Sequence, residues 1–284
     1  MQSLPKTIRW DSGKLYFLDQ TMLPLKVVEE KQETVEHVWD SIRKLKVRGA
    51  PAIGVAGAYG LLLAIHDKTG LKKNRFLDLI KDKVEYLDSA RPTAVNLKWA
   101  LDRMLECTKS FSGDDSKELF KYMEDEAIRI HNEDERLCME IGKFGVSLIK
   151  KDMGVMTHCN AGALATTGIG TATAPMYLAH RGKISFRVYS SETRPLLQGA
   201  RLTSWELKRS GLDVTLLTDN MAAHIMSKGL IDLVITGTDR VAANGDVANK
   251  IGTHGLAIMA RHFNIPFYVA CPYSTIDFKT KQGK

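Results

Sequence analysis

From about residue 151 the chain alternates short β-branched runs with helix-length segments. The runs are "GVMTHC", "ISFRVYS", "DVTLLTD", "LVITG" and "PFYVAC". This alternation constrains the fold more than any other feature, because strands joined by helical crossovers build a parallel sheet with right-handed connections. The residues before 151 follow a different pattern. Ile8, Trp10, Leu15 and Phe17 alternate around Asp11-Ser12-Gly13, which predicts a hairpin, and "LKVVEE" adds a candidate strand. Val35, Val38, Ile42 and Leu45 recur at helical spacing, as do Phe76, Leu79, Ile80, Val84 and Leu87, and further helical segments fall near 94–110 and 117–150.

The expected class is therefore α/β. A small β plus helical-bundle domain over residues 1–140 precedes a Rossmann-like parallel-sheet domain over residues 141–284, with the boundary in a charged helical stretch near 133–150. A chain of 284 residues that is 44% hydrophobic can supply cores for both. Its net charge of +7 suits an anionic partner. The basic residues are scattered, with no arginine-rich arm and no basic strip interleaved with aromatics, so nucleic acid is not expected as a partner. Cys107, Cys138, Cys159 and Cys271 form no C-x-x-C pair, which predicts a reduced, cytoplasmic chain rather than a disulfide framework. The N-terminus lacks a secretory h-region, and the longest apolar runs are expected to break before they span a bilayer. No membrane is expected. The eight histidines include no H-E-x-x-H arrangement, so no catalytic metal is predicted, and the lack of a G-x-S-x-G elbow argues against an α/β hydrolase.

Open parallel sheets bind ligands along the C-terminal edge of their strands. Polar residues gather there: Cys159 and Asn160, then Ser190, Ser191 and Glu192, then Thr218 and Asp219, then Thr238 and Asp239. Cys159 precedes "NAGALATTGIG", where a helix N-terminus would lower a thiol pKa; a small buried apolar residue is the plainer alternative. Asp239 is a candidate general acid or base, with an Asx turn or helix cap as its alternative, and Asp246 competes for the same role. Asn249 and Lys250 are expected to open the helix "NKIGTHGLAIMARHF", whose free N–H groups favour an anion. Arg48 and Gly49, before Ala50 and Pro51, form a candidate phosphate cradle at a helix start, or else a plain turn with a solvated arginine. Arg91, in "ARPTAVNL", has the same two readings. Gln198 is a candidate partner for a sugar hydroxyl, or a surface glutamine. The "TGIG" glycines lie too far past the strand to make a convincing dinucleotide fingerprint.

Taken together and in order, "RGAPAIG", "RPTAVNL", "CNAGALAT", "ETRPLLQGARLT" and "DRVAANGDVANKIGT" resemble the methylthioribose-1-phosphate isomerases, relatives of the regulatory subunits of a eukaryotic initiation factor. The resemblance runs from about residue 8 to residue 277. It implies an aldose-ketose isomerase that converts 5-methylthioribose 1-phosphate to the ketose phosphate in methionine salvage, without a cofactor and as a homodimer. By it, Cys159 and Asp239 carry the chemistry, while Arg48, Gly49, Ala50, Arg91, Gln198, Asn249 and Lys250 bind the sugar phosphate. Asp239 would sit in a dry pocket and protonate the ring oxygen as Cys159 assists at C2; the alternative is hydride transfer from C2 to C1, with Cys159 stabilising the transition state.

Two departures stand out. Ser191 occupies a position where the family usually has an aspartate, and relatives continue beyond "TIDFKTKQGK", so a C-terminally truncated chain is expected. The alternatives are an isomerase of another 1-phosphosugar, such as 5-deoxyribose 1-phosphate or ribose 1,5-bisphosphate, and a non-catalytic regulatory subunit.

Overall fold

The structure is a computed structural model that describes residues 4–283. Contacts divide it into two compact units. One is Lys6–Asp134; the other begins at Glu135 and takes in Leu4 and Pro5.

In the first unit, β1 (Ile8–Asp11) and β2 (Lys14–Leu18) form the expected hairpin. Ser12 and Gly13, at φ 50° and 81°, make the two-residue turn, whose paired positive φ values match the twist of the strands. The third strand, β3 (Glu29–Gln32), pairs with β2 and starts later than "LKVVEE" suggested. Helix α1 (Val35–Arg43) begins at Thr34, whose Oγ1 accepts the His37 N–H at 3.3 Å. It is followed by α2 (Ala50–Ile65), α3 (Lys73–Asp88), α4 (Val95–Ser110) and α5 (Ser116–Gly145). The division between the units falls inside α5.

One expectation is corrected here. The segment Ala50–Lys68 does reach the length and mean hydropathy, 1.3, of a membrane-crossing helix. The helix instead lies in the core, with 72% of its most apolar 18-residue stretch buried. Side chains from α1, α3 and α4 pack around α2, and Leu61, Leu62 and Ile65 are fully covered. Burying each such aliphatic side chain contributes about 1.5–3 kcal/mol. The crossing with α4 is close: a Cβ on Gly54 would stand 2.9 Å from the Asn96 carbonyl oxygen.

The second unit contains β4 (Gly154–Thr157), α6 (Ala174–Arg181), β5 (Arg187–Ser191), α7 (Ser204–Arg209), β6 (Asp213–Leu217), α8 (Ala222–Ser227) and β7 (Leu233–Thr236). It continues through β8 (Arg240–Ala242), β9 (Val247–Ala248), α9 (Thr253–His262), β10 (Phe267–Val269) and β11 (Ile276–Asp277). The five predicted strand runs form one parallel sheet in the order β10-β7-β4-β5-β6. Every residue of β4 and β7 is buried. Val155, Val188, Leu233 and Ile235 belong to one core cluster, and Met156, Tyr189 and Val234 to another. That is the two-faced burial expected of parallel strands.

The chain lays down β4, moves outward through β5 and β6, then returns to the other side of β4 with β7 and β10. The crevice between the C-terminal ends of β4 and β7 is therefore the topological switch point, where open α/β sheets hold their ligands. A second, small sheet, β11-β8-β9, stands directly after β7.

Candidate active site at the sheet switch point

Cys159 lies two residues past the end of β4 and is half-buried. Its backbone is left-handed, with φ 63°, a conformation a β-carbon disfavours and the surroundings must hold. Two threonines hold it. The Cys159 N–H donates to Thr193 Oγ1 at 2.8 Å, and Thr203 Oγ1 donates to the Cys159 carbonyl at 2.6 Å. Thr193 is itself left-handed, at φ 65°, and is fixed by Asp219, whose carboxylate accepts the N–H groups of Thr193 at 2.8 Å and Arg194 at 2.7 Å. The ends of β4, β5 and β6 are thereby tied into one rigid edge around the thiol.

The helix expected directly behind Cys159 is absent. A single 3₁₀ turn, Ala163–Ala165, follows instead, and the next helix is α6. The buried Glu206 carboxylate accepts the N–H groups of Ala163 at 3.2 Å and Leu164 at 3.0 Å, so those amides are already satisfied. No helix dipole is aimed at Cys159 from this turn.

Asp239 follows the end of β7, the strand that pairs with β4, and so stands on the other side of the switch point from Cys159. Its N–H donates to the Ala248 carbonyl at 3.0 Å. Its side chain is exposed, not enclosed in the dry pocket that the sequence suggested. The reason is local: Asp239 begins the surface hairpin β8–β9, which projects beyond the sheet edge. The hairpin also corrects the reading of Asp246. Asp246 lies at the exposed tip, where its Oδ2 accepts from Asn244 Nδ2 at 2.9 Å and from the Gly283 N–H at 3.0 Å. Those two donors hold its carboxyl below the usual range. Asp246 is a turn former here and does not compete with Asp239.

The same hairpin brings Asp239 beside Asn249. The register pairs Arg240 with Ala248 and Val241 with Val247, so the next position outward sets 239 opposite 249. Asn249 and Lys250 do not open α9, as the sequence suggested. They form the turn before it, because Gly252, at φ 99°, is left-handed and cannot be helical. Asn249 Nδ2 donates to Thr253 Oγ1 at 3.0 Å, and that hydroxyl donates to the Lys250 carbonyl at 2.7 Å.

Gln198 leads into a π-helical turn, Gly199–Thr203, that runs into α7. It is buried, which removes the surface reading, and its Oε1 has no hydrogen-bond partner within the described residues. Such an oxygen, one of several among the described residues, is free to accept from a ligand hydroxyl or from water.

Arg48, Gly49, Ala50 and Arg91 lie in the N-terminal unit. Gly49 caps α2 with φ 94°, Pro51 sits in the first turn, and no side chain caps the helix. A helix start of this kind can bind an anion through its first-turn N–H groups. The half-buried Arg91 lies in the loop between α3 and α4. Gly54 and Gly57 pack on Asn96 and Leu97, so the first halves of α2 and α4 cross, which sets Arg48 and Arg91 toward one end of this bundle.

Sequence reasoning missed His158, Thr193, Thr203 and Glu206 as supports of the site, and placed Asp219 at the sheet edge without its partners. The signal for Thr193 and Thr203 was their place in "ETRPLLQGARLT"; for the others the decisive partners are distant in sequence. Among the described residues, no group of three or more His, Cys, Asp or Glu side chains converges as a metal site.

Comparison with known proteins agrees with this architecture. The chain is 54% identical over 277 residues to the 5-deoxyribose 1-phosphate isomerase of Bacillus thuringiensis (strain Al Hakam), covering 98% of this chain and 80% of that protein. The crystal structure of 5-methylthioribose 1-phosphate isomerase from Pyrococcus horikoshii OT3 is similar with a TM-score of 0.92 at 41% identity, covering 98% of this chain and 78% of that one. Translation initiation factor eIF-2B, subunit delta, from A. fulgidus is similar with a TM-score of 0.87 at 41% identity, covering 98% and 81%. The profile of the initiation factor 2 subunit family matches residues 46–284. The chain belongs to the initiation factor 2 subunit family.

Proposed function

We propose that the chain is an aldose-ketose isomerase of a ribose 1-phosphate that lacks a phosphate at C5. The observation that carries this reading is the pairing of Cys159 and Asp239 at the ends of adjacent strands, across the switch point of the sheet. The 54% identity to a 5-deoxyribose 1-phosphate isomerase ranks that substrate first. 5-Methylthioribose 1-phosphate, which differs only at C5, is the second substrate proposed, supported by the Pyrococcus structure.

A sugar whose C1 oxygen carries phosphate has no free aldehyde, so the ring must open with the phosphate retained. In the proposed reaction the bound sugar covers the Asp239 carboxyl, which is exposed in the free chain, and Asp239 in its protonated form gives a proton to the ring oxygen as the bond from that oxygen to C1 breaks. Cys159, as thiolate, takes the proton from C2, which leaves an enol with phosphate on C1. Cys159 returns that proton to C1, and the C2 hydroxyl gives its proton back to Asp239 as the ketone forms. Atoms and charges balance, and both residues regain their starting states. Gln198 Oε1 accepts from a sugar hydroxyl, and Asn249 and Lys250 bind the sugar phosphate. Arg48, the Gly49 and Ala50 amides and Arg91 supply further anion-binding groups. The homodimer implied by the resemblance is retained as part of the proposal, to be read by sedimentation.

The test is phosphorus NMR of 5-deoxyribose 1-phosphate, 5-methylthioribose 1-phosphate and ribose 1,5-bisphosphate with the purified chain, beside a Cys159→Ser variant. The expected result is ketose phosphate from the first two, slowed about a hundredfold or more in the variant. Preference for the bisphosphate would overturn the substrate class. Binding without turnover by a folded chain would favour a regulatory subunit, the reading raised by the similarity to eIF-2B delta.

A further inference from the structure

His158 directly follows β4 and precedes Cys159, yet its side chain takes no part in the reaction just described. It is buried and bonded at both ring nitrogens. Nε2 stands 2.8 Å from the Ile251 carbonyl, which can only accept, so Nε2 carries a proton and donates. Nδ1 stands 2.6 Å from Ser191 Oγ at the end of β5. Burial favours the neutral ring and pushes its pKa below the ordinary value, with Asp219 and Lys250 as the charged groups acting on it in opposite directions. In the neutral ring Nδ1 then accepts from Ser191 at 2.6 Å, the shorter of the two contacts open to that hydroxyl, the other being the Thr157 carbonyl at 3.3 Å.

The ring meets the turn before α9 in a second way. A Cβ on Gly252 would lie 2.9 Å from His158 Cε1 and 3.0 Å from Nε2. The imidazole therefore fills the space against Gly252 while it holds the carbonyl of the preceding residue. Asn249 and Lys250 lie on the same short turn, whose other fixed point is Thr253 Oγ1.

We propose that His158 is a positioning residue: it anchors the Asn249–Gly252 turn to the end of β4 and so sets Asn249 and Lys250 for the phosphate of the substrate. This rests on the isomerase reading for the identity of the ligand. One side chain thereby couples the strand that presents the thiol to the turn that presents the anion-binding groups, and Ser191 keeps the ring from rotating out of register.

The experiment compares the parent with His158→Ala and His158→Gln. It measures KM and kcat on 5-deoxyribose 1-phosphate and, independently of turnover, Kd for inorganic phosphate by calorimetry. The alanine variant is expected to raise KM and the phosphate Kd together by about tenfold, with kcat nearly unchanged. The glutamine amide can donate to the same carbonyl and is expected to recover most of the loss. A folded alanine variant with unchanged KM and Kd, a fall in kcat alone, or a glutamine variant no better than alanine would overturn the proposal. If His158→Ala does not fold, Ser191→Ala decides: a smaller rise in phosphate Kd is expected, and an unchanged Kd overturns the anchoring role. If the parent binds phosphate but turns over none of the sugars, the isomerase reading fails while the phosphate Kd values still judge His158.

Discussion

His158 is a neutral base sealed between Ser191 and Ile251, and this has a thermodynamic sign. Its folded pKa lies below its ordinary value of 6.5, so between those two values the unfolded chain binds a proton that the folded chain refuses. Stability must then rise with pH across that window and fall as pH drops below 6.5. Thermal unfolding of the parent and of His158→Gln at a series of pH values checks this: the variant is expected to lose this component of the acid sensitivity. Equal slopes would show that the ring does not titrate in this way. At this scale the catalytic candidates were legible because they end apolar runs, where a parallel sheet exposes its edge. Their supports were not. His158 reaches a partner 93 residues away, Thr193 reaches back 34 residues to Cys159, and Glu206 reaches back about 40 to the amides of Ala163 and Leu164. Nothing local in "MTHC" distinguishes a bonded histidine from a merely buried one.

The elements tell a similar story with a different cause. All five strands of the parallel sheet were readable from β-branched runs, and the long helices from their apolar spacing. The departures lie where side chains override local preference. "DRVAANGDVANK" reads as one polar site, but Asn244, Gly245 and Asp246 turn the chain back on itself, and the β8–β9 hairpin uses that turn to set Asp239 beside Asn249. After Cys159, a helix start was expected and a Glu206-capped 3₁₀ turn stands there instead. Gly252 offers the sharpest test of element-level reasoning, since its φ of 99° and the His158 ring both exclude a side chain. Gly252→Ala is expected to cost about 1–3 kcal/mol and to raise KM, measured by chemical unfolding and steady-state kinetics. Gly13, in the turn of the β1–β2 hairpin, is the control: it has φ 81° but open space around it, so Gly13→Ala should carry the backbone strain alone, with KM unchanged. Equal effects of the two substitutions on KM would contradict the importance of the His158 contact.

At the scale of the whole molecule, a charge of +7 would act on the proposed sugar phosphate before any contact forms. If the sugar phosphate is drawn in electrostatically, kcat/KM should fall as salt is raised through about 0.1 M, where the screening length is about 10 Å. A flat salt profile with viscosity-independent turnover would mean that encounter is not limiting. The strand order β10-β7-β4-β5-β6 has a consequence in time. The ends of β4 and β7, beyond which Cys159 and Asp239 lie, come together only after β7 has returned past β5 and β6 to pair with β4, a loop closure across some eighty residues of chain. The bundle over Lys6–Asp134 is built mainly from helices that follow one another directly. Contacts of long sequence separation form slowly, so a refolding chain gains most of its helix early and becomes a catalyst late, when the last central strand is seated.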